Sequence, residues 1–208
     1  CNREKIKPGE NTKNMTPMKA ATVAGSQLTT PEFRVSFPSV FVARAAVEGQ
    51  EPKFSVTMLF AKTTDLTPLK IAAKAAIISK WGEDQAKWPK NLRLPFRDGS
   101  EKEYDGYEGT TFCTASSKMR PGLVDHALQP IIEPSEFYGG CYARATISLF
   151  AYDVSGNRGV GIGLRNIQKI RDGEPFSGRN KAEKDFDAIA VPPAGGNAAV
   201  DPLAGIGA

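Results

Sequence analysis

The chain has 208 residues, enough for one domain with a real core plus tails, and its formal net charge is +4. Three cysteines (Cys1, Cys113 and Cys141) without C-x-x-C spacing and one histidine, His126, cannot assemble a zinc site of the usual kind. The odd cysteine count suits a reducing compartment, and no apolar run is long enough to span a membrane as a helix.

Residues 1–31 carry five Lys/Arg against two Asp/Glu, are rich in Pro and Gly, and lack periodicity. They are read as a flexible N-terminal arm. Cys1 is the residue on which a lipidated bacterial protein begins, but a trimmed start is the favoured reading, with Met15 and Met18 as natural starts. Phe33, Val35 and Phe37 alternate up to Pro38, and Val40, Phe41 and Val42 resume beyond it, which predicts a strand bulged at the proline. After a turn at 49–52, Phe54, Val56, Met58 and Phe60 form a second half-buried strand. Thr67 followed by Pro68 reads as an N-cap with proline at the first helical position. The helix runs from Leu69 to Lys80, with Leu69, Ala72, Ala73, Ala76 and Ile77 as its packing stripe and Gly82 as its stop.

From Lys80 to Tyr107 the pattern breaks up. Trp81, Trp88 and Lys90 lie there, either as a loop whose indoles and cations meet a polyanion or as an irregular segment pinned by buried rings. The acids Asp98, Glu101, Glu103, Asp105 and Glu108 follow, a set that a metal-dependent nuclease could use but that more often belongs to a solvated loop. Residues 110–117 are strand-like, and the turn after them offers Lys118 and Arg120 as phosphate contacts. His126 has no nucleophile beside it and reads as structural or exposed.

Residues 138–171 organise the rest as two long strands joined by a turn at 153–157. In the first, Cys141, Ala143, Ala145, Ile147, Leu149 and Ala151 form one face, and Tyr142, Arg144, Thr146, Ser148, Phe150 and Tyr152 form the other. Three aromatics and an arginine in one row can stack bases and pair with phosphates; the competing reading is a second core under another layer. In the return strand Val160, Ile162 and Leu164 join the core. Gly161, Gly163 and Arg165 lie on the aromatic side, the glycines admitting a ligand or another backbone closely. A short helix over 182–190 docking through Phe186 and a disordered, mildly acidic tail complete the chain. The division is thus an arm over 1–31, a domain over 32–181 and a tail over 182–208.

Four stretches, 88–99 (WPKNLRLPFRDG), 115–122 (ASSKMRPG), 136–144 (EFYGGCYAR) and 163–175 (GLRNIQKIRDGEP), occur together in this order. They resemble a bacteriophage family formerly catalogued as a domain of unknown function, one characterised member of which is a single-stranded DNA-binding protein with an OB-fold. The likeness covers roughly residues 33–187. It implies a mainly β, five-stranded, partly open antiparallel barrel with a helix between its third and fourth strands, long loops and disordered termini.

It also implies a sequence-tolerant binder of single-stranded DNA acting in phage replication, recombination or repair in the cytoplasm of the infected host. Such a protein is not an enzyme and needs no cofactor or metal. Its partners are single-stranded DNA and phage replication or recombination proteins, with a homo-oligomer left open and no membrane. The contact residues expected are Tyr142, Arg144, Phe150, Tyr152, Arg165, Lys118, Arg120, Trp81, Trp88 and Lys90. Phage binders of this type often end in an acidic tail; here Glu183, Asp185, Asp187 and Asp201 are followed by an apolar finish. The rival readings are a metal-dependent phage nuclease and a virion or assembly β-domain whose aromatic face is a subunit interface.

Overall fold

In the computed structural model, which describes residues 27–176, the elements in chain order are β1 (Leu28–Thr29), β2 (Phe33–Arg44), β3 (Lys53–Ala61), α1 (Thr67–Trp81), β4 (Arg97–Asp98), β5 (Thr110–Ser117), β6 (Gly122–Val124), β7 (Tyr142–Val154) and β8 (Asn157–Arg171). Five of the strands close a ring. β2 pairs with β3, β3 with β5, β8 with β7 and β7 with β2, all antiparallel, while β5 meets β8 in parallel through the single pair Ser116–Gly163. The short strands β1, β4 and β6 attach to β7, β5 and β8. This is the mainly β, OB-like ring the sequence anticipates. The one α-helix among the described residues, however, lies between the second and third ring strands. The stretch between the third and fourth carries only β6 and a single 3-10 turn at Pro134–Glu136.

The period-two pattern decides which side chains fill the ring. Along β7, Ala143, Ala145, Ile147 and Leu149 are buried, as are Val160, Ile162 and Leu164 of β8 and Val56, Met58 and Phe60 of β3. Phe33 meets Phe60 edge-on with centroids 5.8 Å apart, so truncating Phe60 to Ala should cost about 3–5 kcal/mol. The expected stripe of α1 is buried in full. The helix packs against β7 and β8, and its Ala72, Ala73 and Ile77 share one buried cluster with Ala143 and Ala145. The cap differs from expectation: Thr67 caps nothing, and Asp65 Oδ1 instead accepts from the Thr67 amide at 2.9 Å. An aspartate two residues upstream meets a free amide better than a threonine already inside the first turn.

Three other local expectations are changed by the structure. The register of β2 slips between Ser36 and Ser39, as a bulge at Pro38 requires, and this turns Phe37 outward with φ +42° and more than half of its surface exposed. The chain read as an arm is already part of the sheet at β1. There Leu28 is buried, the Thr30 amide donates to Ala145 O at 2.8 Å, and Thr30 Oγ1 accepts from the Ala145 amide at 3.0 Å. In β8 the pairing jumps from Ile147–Leu164 to Thr146–Asn166. Arg165 is the extra residue, so Arg165 and Asn166 are both exposed before Ile167 returns to the core. The expected helix at 182–190 and the tail lie outside the described residues, as do residues 1–26 of the arm. No helix among the described residues is long and apolar enough to cross a membrane.

Candidate nucleic-acid interface

The β7–β8 hairpin turns on Ser155 and Gly156, both at positive φ, the geometry of a two-residue turn that matches the twist of the strands. On its outer face three glycines of β8 stand opposite the polar and aromatic row of β7: Gly163 faces Ser148, Gly161 faces Phe150 and Gly159 faces Tyr152. Each glycine makes room for a particular neighbour. A methyl group at Gly161 would lie 2.6 Å from the Phe150 ring, and one at Gly159 would lie 2.5 Å from Arg93 O and 2.8 Å from the Tyr152 hydroxyl. The missing side chains therefore let Phe150 lie down on the β8 backbone, with half of its surface still open to solvent.

Beside this row runs an open groove of about 510 Å³, lined by Ser116, Ser117, Met119 and Arg120 on one side and by Ser148, Gly163, Leu164, Arg165 and Asn166 on the other, with Gln27 at its edge. The lone parallel pair between β5 and β8 is its floor. Two strands that meet at one point and then diverge leave a trough. Arg120 extends over Phe41, 5.6 Å from the ring centroid, and Arg165 projects from the bulge. Among the described residues neither has a carboxylate within salt-bridge distance. A third arginine, Arg93, is placed at the far end of the row by main-chain pairing. Its amide donates to Arg158 O at 2.9 Å and its carbonyl accepts from the Val160 amide at 3.0 Å. Sequence reasoning missed Arg93 as a site residue, since nothing local says that the irregular segment returns to β8.

Of the expected contact residues, the structure brings together Phe150, Tyr152, Arg165 and Arg120. The others are placed differently. Tyr142 shares their face but lies eight residues from Phe150, about 26 Å along the strand. Its ring is covered by the Arg171 guanidinium at 3.4 Å and flanked by Arg34. Arg144 Nε donates to Gln168 Oε1 at 2.8 Å. Lys118 borders the groove but is bound to Glu51 at 2.6 Å. Both tryptophans are half-buried against the core, Trp88 with its indole N–H donating to Gly82 O at 2.9 Å. Lys90 is exposed in the turn beyond Trp88, away from the groove lining.

Of the acids after residue 97, Asp98 and Glu101 are committed to structure, and Glu103, Asp105 and Glu108 are exposed. Asp98 accepts from the Ser100 amide and hydroxyl and pairs with Lys62. Those hydrogen bonds from Ser100, reinforced by the ammonium group, pull its carboxyl down to about 2. Glu101 pairs with Arg97. Among the described residues no three His, Cys, Asp or Glu side chains converge as metal ligands. Burial pushes the Cys113 thiol up to about 12, so it is an inert core residue. His126 is exposed in a turn closed by Asp125.

Solved structures share this architecture. The single-stranded DNA-binding protein from bacteriophage Enc34, in complex with ssDNA, superposes with a TM-score of 0.62 at 23% identity over 73% of this chain and 89% of that one. The single-stranded DNA-binding protein gp2.5 of bacteriophage T7 superposes with a TM-score of 0.52 at 14% identity, over 85% of this chain and 100% of that one. At these identities the likeness establishes the fold. In sequence, protein p50 of Acyrthosiphon pisum secondary endosymbiont phage 1 is 36% identical over 169 residues, 76% of this chain and 91% of the relative. The model of the family of the ssDNA-binding protein of Enterobacter phage Enc34 matches residues 26–194, a span that takes in the whole ring and groove, and the chain belongs to that family.

Proposed function

We propose that this protein binds single-stranded DNA without sequence preference and protects it during phage DNA replication, recombination or repair in the cytoplasm of the infected host. The observation that carries this reading is the juxtaposition of Phe150, half-exposed over Gly161, with a groove whose arginines Arg120 and Arg165 lack carboxylate partners among the described residues. An aromatic platform stacks on any base, because every base has a π-face, and guanidinium groups follow the phosphates whatever the sequence. Ser116, Ser148 and Gly163 keep the floor between them low enough for a strand to lie on. No bond is made or broken. The family relation supports the same reading, since the family's namesake is described as an ssDNA-binding protein.

The test is an anisotropy titration of a labelled oligothymidine strand at low and moderate salt, with the matching duplex as competitor. Tight, salt-sensitive binding that the duplex barely displaces is expected. Absence of binding at low salt would sink the proposal, and would return the aromatic face to the subunit-interface reading.

A further inference from the structure

A second aromatic surface stands on the ring's exterior, apart from the hairpin. Phe37 and Tyr104 are each more than half exposed and meet edge to face, their centroids 5.2 Å apart. Beneath them Tyr107 is buried, 5.4 Å from Tyr104 and 6.5 Å from Phe37. Tyr107 is fixed in turn by its hydroxyl contact with Ser36 Oγ at 3.1 Å. Phe37 holds φ +42°, a conformation that glycine adopts without penalty and a bulky residue does not. A strained backbone that turns a large ring out into water calls for a reason beyond folding.

The surface is continuous with the groove. Ser116, on the groove floor, belongs to the half-buried cross-strand row Ser39–Ser55–Ser116, while in the next row, Ser36–Thr57–Thr114, Ser36 and Thr57 are buried, Ser36 against the Tyr107 hydroxyl. Rows on one face are about 7 Å apart and neighbouring strands about 4.8 Å. The partly open row Ser116–Ser55–Ser39 therefore leads from the arginine-lined groove to within two residues of Phe37, a span of roughly 15 Å. Glu103 and Asp105, exposed on either side of Tyr104, would repel a phosphate but not the flat face of a base.

We propose that Phe37 and Tyr104 form a second base-stacking station, which engages a strand long enough to run from the Phe150 groove across β5 and β3. This inference rests on the single-stranded DNA reading above. The experiment compares wild type, Phe150→Ala, Tyr104→Ala and Phe37→Gly on oligothymidines of about 4 and about 16 nucleotides, the range of site sizes for one OB-fold. Melting temperature and solution mass are recorded for each protein.

Tyr104→Ala and Phe37→Gly should bind the long strand at least about fivefold more weakly and the short strand as wild type does. Phe37→Gly should keep its melting temperature, because glycine relieves the left-handed backbone. If Phe150→Ala weakens binding while both station variants match wild type on the long strand, the station is overturned and the function stands. If wild type binds neither strand, the function itself fails. A solution mass that falls in Tyr104→Ala with affinity unchanged would assign the surface to a second copy of the chain, which also overturns the proposal.

Discussion

The two halves of the β7–β8 hairpin carry similar residue types on the same outer face, yet they differ in what those residues touch. In the half near the open ends, each cation is engaged: Arg144 with Gln168, Arg171 with Glu32 and the face of Tyr142, and Lys169 with Asp172 at 2.7 Å. Toward the turn, β8 presents glycines and Phe150 keeps half of its surface open, although Arg158 beside the turn pairs with Asp153; where the two halves meet, Arg165 projects from a bulge without a carboxylate among the described residues. A row of aromatics and arginines is therefore not one site. Its closed half is packing, and its open half is surface held ready.

The largest expected effect separates the halves directly. Stacking on one aromatic ring is worth about 1–3 kcal/mol per base, so Phe150→Ala should weaken single-strand binding roughly tenfold or more. Tyr142→Ala, whose ring already stacks on Arg171, should change it by less than about twofold. Anisotropy titrations on the two variants decide the matter, and equal losses would erase the distinction between the halves. Next in size is the salt dependence. Each phosphate contact adds about 0.7 to the log–log slope for single strands. Arg165→Ala and Arg120→Ala should each flatten the slope by about that amount, and Arg144→Ala should leave it in place.

A smaller effect tests the tryptophans against the open half. Trp88 donates to Gly82 O and packs on the core, so Trp88→Phe should lower stability by about 0.5–1.5 kcal/mol in urea unfolding, the net worth of one hydrogen bond. Affinity for the strand should stay as in wild type. Loss of affinity without loss of stability would move Trp88 into the interface.

The pattern of the sequence revealed the strands, the helix stripe and the two faces of the hairpin, because period two and period 3.6 are local properties of the chain. Partners are not local. Nothing near Tyr142 announces that Arg171 will cover it, since that contact depends on the register between β7 and β8. The bulge at Arg165, which alters that register, leaves no mark in the alternation until Ile167. Arg93 was hidden for the same reason: a segment without periodicity returned to β8 through main-chain bonds that any residue could make. Phe37 continues the alternation of Phe33 and Val35, and the alternation by itself does not show that the bulge at Pro38 turns its ring outward. The family resemblance carried the ring but misplaced its helix.

The smallest effect concerns Lys118, which borders the open groove but belongs energetically with the closed half. Its ammonium group is held by Glu51 at 2.6 Å, both side chains being more than half exposed. The hydrogen bond from Lys118 lowers the Glu51 carboxyl below its ordinary value, against a small opposing effect of desolvation. Because the folded value is depressed, the pair is intact above the ordinary carboxylate range and is lost only as the pH falls through the lowered value. Neutral-pH titrations therefore always meet the closed pair, and a phosphate must displace Glu51 to reach Lys118. Solvent screens such an exposed pair, so it contributes little. Glu51→Gln should accordingly raise strand affinity by only about twofold to fivefold and steepen the salt dependence by up to about 0.7 as one more cation becomes available. Lys118→Gln in the wild-type background should change affinity less than Arg165→Ala does. If Lys118→Gln has the larger effect, the Glu51 pair is opened by DNA at no cost and Lys118 belongs with the primary phosphate contacts.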